Sequence, residues 1–318
     1  MALTLVESAK LSRDNLQRGI IETFVQESVI MDRIPFLAIN GNAYAYTTEG
    51  TLPGIEFRAV NSAYAESTGT VNQASEKLVI LGGEADVDTF IQQTRSDLQD
   101  QRATQSRLKV KAAVYAYQNA FVNGDVAVDP NSFDGLKKRL VGSQVLSTPG
   151  ANGFSIVGAD DATRLAAFDL LDELLAAVPG INGSNGALIM NNLIRARFAS
   201  AGRRAKIDLG STTVNGKTYS TYQGIPMIDL GDTALGARIL PQTETRGTST
   251  ASSSVYAVKY GEDEGDGGVT GLTNGGIMVE DLGKLQSKPA WRTRIEFFTG
   301  LAVFSGKAAA RLPGALNA

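Results

Sequence analysis

The sequence predicts a mixed α+β subunit, and three observations carry that reading. The stretch Gln92 to Val122 contains neither proline nor glycine and is rich in Gln, Arg, Lys and Ala, as a long helix requires. Near the other end, Trp291, Thr293, Ile295 and Phe297 alternate with Arg292, Arg294 and Glu296. That period of two gives a strand one apolar and one charged face. Glycine is in excess, at 34 of 318 residues or about 11% against a usual ~7%. Much of it falls between periodic segments, where chain reversals need positive φ.

The elements follow in order. Residues 5–33 read as one or two helices, with Leu5, Ala9, Leu16, Ile20, Phe24 and Ile30 near helical spacing and Pro35 ending the run. Such a terminal segment either docks on its own domain or straps a neighbouring subunit. Residues 41–83 read as a long protruding hairpin. Tyr44 and Tyr46 alternate on the outgoing arm, Pro53-Gly54 marks a turn, Arg58 to Ser75 is small and polar, and Lys77 to Leu81 returns. A hairpin this isolated buries too little to be stable alone, so it implies a partner surface; a loop folded back on its own domain is the plainer alternative. Ala85 to Ile91 then alternates as a strand.

The long helix over 92–122 would span about 45 Å. Ala112, Tyr115, Asn119 and Val122 share one face, a narrow stripe, and Asn123-Gly124 closes the run. Asp129-Pro130-Asn131-Ser132 signals a turn before a short segment bearing Lys137, Lys138 and Arg139. That basic triplet reads as a solvated helix face, with phosphate contact as the sharper alternative. After a Gly/Ser/Pro-rich linker near 142–153, Asp160-Asp161 opens an amphipathic helix carrying Leu165, Phe168, Leu171, Leu174, Leu175 and Val178. Ala187–Met190 reads as a strand, and Asn191-Asn192 opens a helix to about Ser200. Ser211–Val214 and Lys217–Tyr222 flank Asn215-Gly216, a strong hairpin signal. Ile225–Leu230, Arg238–Leu240, Val255–Tyr260, Ile277–Leu282 and Leu301–Phe304 read as further strands, the last pair long enough to lie under the long helix.

Composition narrows the chemistry. There is no cysteine and no histidine, so thiolate nucleophiles, imidazole bases and the favoured zinc ligands are all missing. Net charge is −3, which advertises no global attraction to nucleic acid. The most apolar stretch, Ile295 to Phe304, is interrupted by Glu296, Thr299 and Gly300. It falls far short of the ~20 residues of a spanning helix, so no membrane association is expected. The glycine-rich run from Pro179 to Gly186 lacks a Lys-Ser/Thr ending and follows a helix instead of a strand, so it reads as a connection and not a phosphate loop. Glu262, Asp263, Glu264 and Asp266 cluster among glycines, but their spacing fits no EF-hand; an exposed acidic loop is expected. No catalytic, cofactor-binding or metal residue is assigned, no cofactor is expected, and the chain is not expected to be an enzyme.

Several segments, in order, carry a resemblance: Asn42 to Tyr46, Thr51 to Gly54, Glu66 to Gln73, Ser132 to Leu136, Leu240 to Glu244 and Arg294 to Phe298. Together with the element order, they resemble major capsid proteins of tailed bacteriophages with the Hong Kong 97-type fold. The resemblance implies an N-terminal arm at 1–40, an extended loop at 41–83 and a peripheral domain from 84–149 and 272–306 built on the long spine helix. It implies an axial α/β domain at 150–271, rejoined by 307–318, with the acidic loop near the capsomer axis. It further implies self-assembly as hexamers and pentamers into an icosahedral virion shell enclosing double-stranded DNA, touched by weak non-specific contact. Assembly in the host cytoplasm with a portal and a decoration protein would follow. Met1 stands directly before the arm, so a separate scaffolding protein, or none, is the expectation. Lys77 is the one lysine of the extended loop and sits on its returning arm, so no Lys–Asn weld between subunits is expected. The alternative within the same fold is an encapsulin-like nanocompartment shell; outside it, an enzyme using carboxylates or a Ser–Lys pair, or a tail component.

Overall fold

The computed structural model describes residues 28–95, 101–158, 160–214 and 217–317. Most of the expected arm lies outside them. Residues 28–34 form a turn, with Arg33 and Ile34 N–H groups bonded to the Ile30 carbonyl and Ile30, Met31 and Ile34 buried.

The chain then runs through β1 (Phe36–Ala38), β2 (Ala43–Glu49), β3 (Val71–Lys77) and β4 (Val79–Asp88). Residues 79–83, read from sequence as part of the returning arm, already belong to β4, and Lys77 ends the arm. Helix α1 (Thr89–Arg95) precedes α2 (Gln101–Asn123), so the expected long helix is described as two segments. A single helical turn, α3 (Leu136–Arg139), leads to β5 (Phe154–Ser155) and α4 (Asp161–Ala176). Asp160 caps α4 by accepting the Thr163 N–H at 2.9 Å. After β6 (Gly186–Ile189), Asn191 caps α5 (Asn192–Ala205) in the same way through Leu193 N–H. The remaining strands are β7 (Ser211–Val214), β8 (Lys217–Tyr222), β9 (Ile225–Ile228), β10 (Glu244–Arg246), β11 (Ser249–Lys259), β12 (Val269–Lys284), β13 (Ala290–Val303) and β14 (Ala309–Leu316). Arg238–Leu240 is not a strand: it contributes one bridge, Asp232 to Arg238. β7 and β8 pair as the Asn-Gly signal requires, Val214 opposite Lys217, although the turn itself lies outside the described residues.

Three sheets result. One has the order β1-β12-β13-β4; a second runs β5-β14-β11-β6-β9-β8-β7, with β10 beside β11; β2 and β3 form a separate two-stranded ribbon. The last strand, β14, lies in the second sheet, paired to β11 and β5.

The larger sheet is buried on both faces, and the period of two assigns each residue to one of two cores. Ala187 and Ile189 of β6, with Tyr256 and Val258 of β11, face a core they share with Phe36, Phe297 and α2. Leu188, with Val255 and Ala257, faces a second core filled by Phe168, Leu171 and Leu174 of α4 and Ile194 and Phe198 of α5. Helix α2 buries Ser106, Val110, Val114, Tyr117 and Phe121, spaced by three or four residues. The stripe read from sequence was out of phase: Ala112, Tyr115 and Asn119 flank it, and only Val122 is fully buried. Val110, Val114, Tyr117 and Phe121 together put more apolar area into the core than Ala112, Tyr115 and Asn119 would, at ~1.5–3 kcal/mol per large side chain. On β13 the expected alternation is present, with Thr293, Ile295 and Phe297 buried beneath α2.

Candidate assembly interface

Among the described residues, the ribbon of β2 and β3 is seated at its foot. Tyr46 packs edge-on to Phe304 at 5.0 Å between ring centroids, and its hydroxyl donates to the Val303 carbonyl at 3.3 Å. Ile39, Leu272 and Ala302 complete that small core. Across the foot, Arg139 of α3 forms a two-pronged ion pair with Glu76 of β3, its Nη2 donating to Oε2 at 2.6 Å. Burial opposes charge on the Arg139 guanidinium, yet the Glu76 carboxylate beside it holds the arginine more firmly protonated than usual. Tyr44 donates to Glu264 at 2.7 Å. That hydrogen bond, then burial, and then the negative charges of Glu264 and Asp263 push the Tyr44 phenol up to about 12.

Beyond the foot, the chain from 50 to 72 is solvent-exposed throughout. Its arms stay together through Gly50 N–H to the Thr70 carbonyl, Thr70 N–H to the Thr51 carbonyl, and Ser67 Oγ to the Gly54 carbonyl. The polar tip read from sequence is only half of it. Ile55 is 96% and Phe57 107% exposed, with Leu52, Val60, Tyr64 and Val71 close behind. A monomeric protein rarely leaves so many large apolar side chains in one contiguous segment without a partner. The signal was present in the sequence: Ile55 and Phe57 are two apart, so in extended chain they project to one side. The flanking Pro53-Gly54 and the polar run after Arg58 obscured it.

The charged candidates are occupied within the chain. Lys137 pairs with Glu244 at 3.6 Å, Lys138 with Asp125 at 3.1 Å, and Arg139 with Glu76. Lys137 and Lys138 keep the solvated face read from sequence, each about half exposed in its ion pair, whereas Arg139 is mostly buried. In the acidic loop, Asp263 accepts from Gly265 N–H at 2.8 Å and Asp266 from Glu262 N–H at 2.8 Å, so these carboxylates hold their own turn. The loop joins the two large sheets and meets the ribbon foot through Glu264; it is not a free tip. Among the described residues, no group of carboxylates is arranged to hold a metal ion. No described helix is long and apolar enough to cross a membrane. On the outer face of β4 and β13, Arg292 lies opposite Asp86 and Arg294 opposite Glu84, with bonds of 2.7 and 2.6 Å. Arg292, then Lys288, hold the Asp86 carboxyl well below the usual carboxylate range.

The described residues form a body with two packed cores and one long exposed projection, and known shell proteins share that fold. The SrpI encapsulin of Synechococcus elongatus shares the fold at 17% identity and a TM-score of 0.64, over 89% of this chain and 86% of that one. The capsid of a native GTA particle gives 16% identity and 0.60, covering 91% and 90%. Mycobacterium phage Bobi gives 13% identity and 0.56, covering 98% of each chain. No curated protein sequence matches the chain. Residues 12–164, just under half of the chain, match the family model of Major capsid protein GP7. The chain therefore has the Hong Kong 97-type fold of these shell proteins, and its first half resembles a major capsid protein.

Proposed function

We propose that the chain assembles as hexamers and pentamers into an icosahedral shell around double-stranded DNA, with the ribbon of each copy lying over its neighbour. The observation that carries this reading is the apolar tip at Leu52, Ile55 and Phe57, exposed in the single chain. A separate scaffolding protein, a portal and a decoration protein are further partners in this reading, and assembly takes place in the host cytoplasm. The arm covers 1–40 and the extended loop 41–83. The peripheral domain comprises 84–149 with 272–306, and the axial domain 150–271, rejoined by 307–318. The role is structural and not enzymatic, and contact with DNA is weak, given a net charge of −3. Neighbours are held without covalent welds: boiled shells should run as a single band at the chain mass of 33.6 kDa, and a ladder of multimers defeats that point.

Electron microscopy of the purified protein tests the main reading. Closed shells, or free hexamers and pentamers, are expected; a small compact dimer overturns it. An encapsulin-like compartment is the second reading, favoured by the likeness to the SrpI encapsulin. Nuclease-protected DNA inside particles made in infected cells supports the phage shell; a protein cargo in its place supports the compartment.

A further inference from the structure

An asparagine followed by glycine is a chemically fragile step in a polypeptide. With no Cβ on the second residue, its amide nitrogen reaches the asparagine side-chain carbonyl easily. The sequence holds seven such steps, at Asn40, Asn123, Asn152, Asn182, Asn185, Asn215 and Asn274. All but Asn215 lie among the described residues, and the fold treats them unequally. Asn123 donates to the Ile239 carbonyl at 2.7 Å, and the Gly124 N–H is bonded to the Ala120 carbonyl at the end of α2. Asn152 accepts from Thr248 N–H and Oγ1 at 2.9 and 3.0 Å. Asn182 accepts from the Ser184 and Asn185 N–H groups at 2.9 and 3.0 Å. Asn185 is bound at both ends of its amide, to Asn182 N–H and to the Gly180 carbonyl. Asn274 makes one bond, from Nδ2 to the Gly41 carbonyl at 3.2 Å. Asn40 makes none. Neither its side chain nor the Gly41 N–H is hydrogen-bonded, both residues are exposed, and no atom lies within 4 Å of where a Gly41 Cβ would stand.

We propose that Asn40 is a self-modification site, deamidating through a succinimide with water as the only co-reactant. Hydroxide takes the proton of the Gly41 amide, and that nitrogen attacks Asn40 Cγ. The new N–Cγ bond forms, the Cγ–Nδ2 bond breaks, and the side-chain nitrogen takes a proton from water and leaves as ammonia. Water then opens the ring at either carbonyl, giving an aspartate or an isoaspartyl link at that position; nothing is oxidised or reduced. The place gives the change its consequence. Ile39, one residue earlier, is buried and bonds its N–H to the Thr273 carbonyl at 2.9 Å. Asn42, two residues later, accepts the Leu78 N–H at 2.9 Å. Asn40-Gly41 is thus the whole link between the last anchor after β1 and the foot of the ribbon. An isoaspartyl link adds one carbon to the main chain there, and both products add a negative charge. A link pinned at both ends cannot take up an extra atom without moving a pin, so the ribbon foot loosens as the protein ages. The chemistry runs within a single chain and stands apart from the shell reading.

Unassembled subunits aged in mildly alkaline buffer, then digested with trypsin and mapped by mass spectrometry, test the proposal. The segment 34–58 should gain one dalton at Asn40, as aspartate and isoaspartate together, before any other described Asn-Gly step does. Its lead over Asn123, Asn152, Asn182 and Asn185 should reach about tenfold, the factor for ~1.4 kcal/mol of barrier, which is about one net hydrogen bond. Asn40→Gln changes an exposed side chain and should abolish the gain in that segment. Hydrogen exchange at the Ile39 and Leu78 amides should quicken in the aged wild-type protein and not in aged Asn40→Gln. A gain that appears first at Asn152, Asn182 or Asn274 refutes the site. So does an unchanged Asn40 under conditions where a free peptide of residues 34–58 deamidates. An isoaspartyl product with unaltered exchange at both amides refutes the loosening of the foot.

Discussion

Arg139, on a single turn of helix, closes a two-pronged ion pair on Glu76, sixty-three residues earlier at the foot of the ribbon. Both side chains are mostly buried, and this pair together with the Tyr46–Phe304 contact fixes the direction in which the ribbon leaves the body.

Removing one partner should therefore cost more than a surface ion pair does. Arg139→Ala leaves Glu76 partly buried without its cation, for a loss of ~2–3 kcal/mol. Urea denaturation of unassembled subunits measures it. A double-mutant cycle with Glu76→Ala should show coupling above ~1 kcal/mol; additive losses would show that the pair does not act as a unit.

Gly271 seats β1. A Cβ at that position would lie 2.5 Å from the Phe36 ring, which is itself packed on Phe297 at 5.6 Å and Tyr117 at 6.2 Å. The ring has nowhere to go, so Gly271→Ala should destabilise the subunit by ~1–3 kcal/mol through overpacking. Thermal melts of the two proteins compare directly, and an unchanged melting temperature would contradict the crowding.

Phe57→Asp separates folding from assembly. The side chain touches no core, so the unfolding free energy should move by less than ~0.5 kcal/mol, while shells disappear from electron micrographs. Normal shells from this variant would remove the tip from the interface.

Acid should loosen the four-stranded sheet. Asp86 is held low by Arg292 and Lys288, and Asp281 is lowered by Arg102. Their folded values lie below the unfolded value of about 3.9. Their stabilisation is therefore fully present above that value and is lost as pH falls through the folded values. Denaturation midpoints measured from neutral pH downward should drop steeply below about pH 4. Arg292→Ala should flatten that drop, because Asp86 then titrates closer to its unfolded value; an unaltered profile would clear the ladder of any role.

Much of the fold was legible in local pattern. Alternation exposed β13, the Asn-Gly signal placed β7 against β8, Asp160 and Asn191 announced two helix starts, and the missing histidine and cysteine disfavoured most reaction chemistry. The ribbon was legible too, since tyrosine alternation and a Pro-Gly turn are local features. Its apolar tip was half hidden, because two spaced side chains beside a polar run give little periodic signal.

By itself, then, the sequence determined which segments are helix, strand and projection, since propensity and period act over a few residues. Tertiary structure decided what each segment touches. Only the assembled core chose Val110, Val114, Tyr117 and Phe121 over the neighbouring face of α2. Only the fold gave the solvent-facing Lys137 and Lys138 their partners Glu244 and Asp125 and turned Arg139 inward onto Glu76. Two of those carboxylates lie tens of residues away in the chain. Pairings over such distances are set by packing of the whole molecule, and no local pattern encodes them.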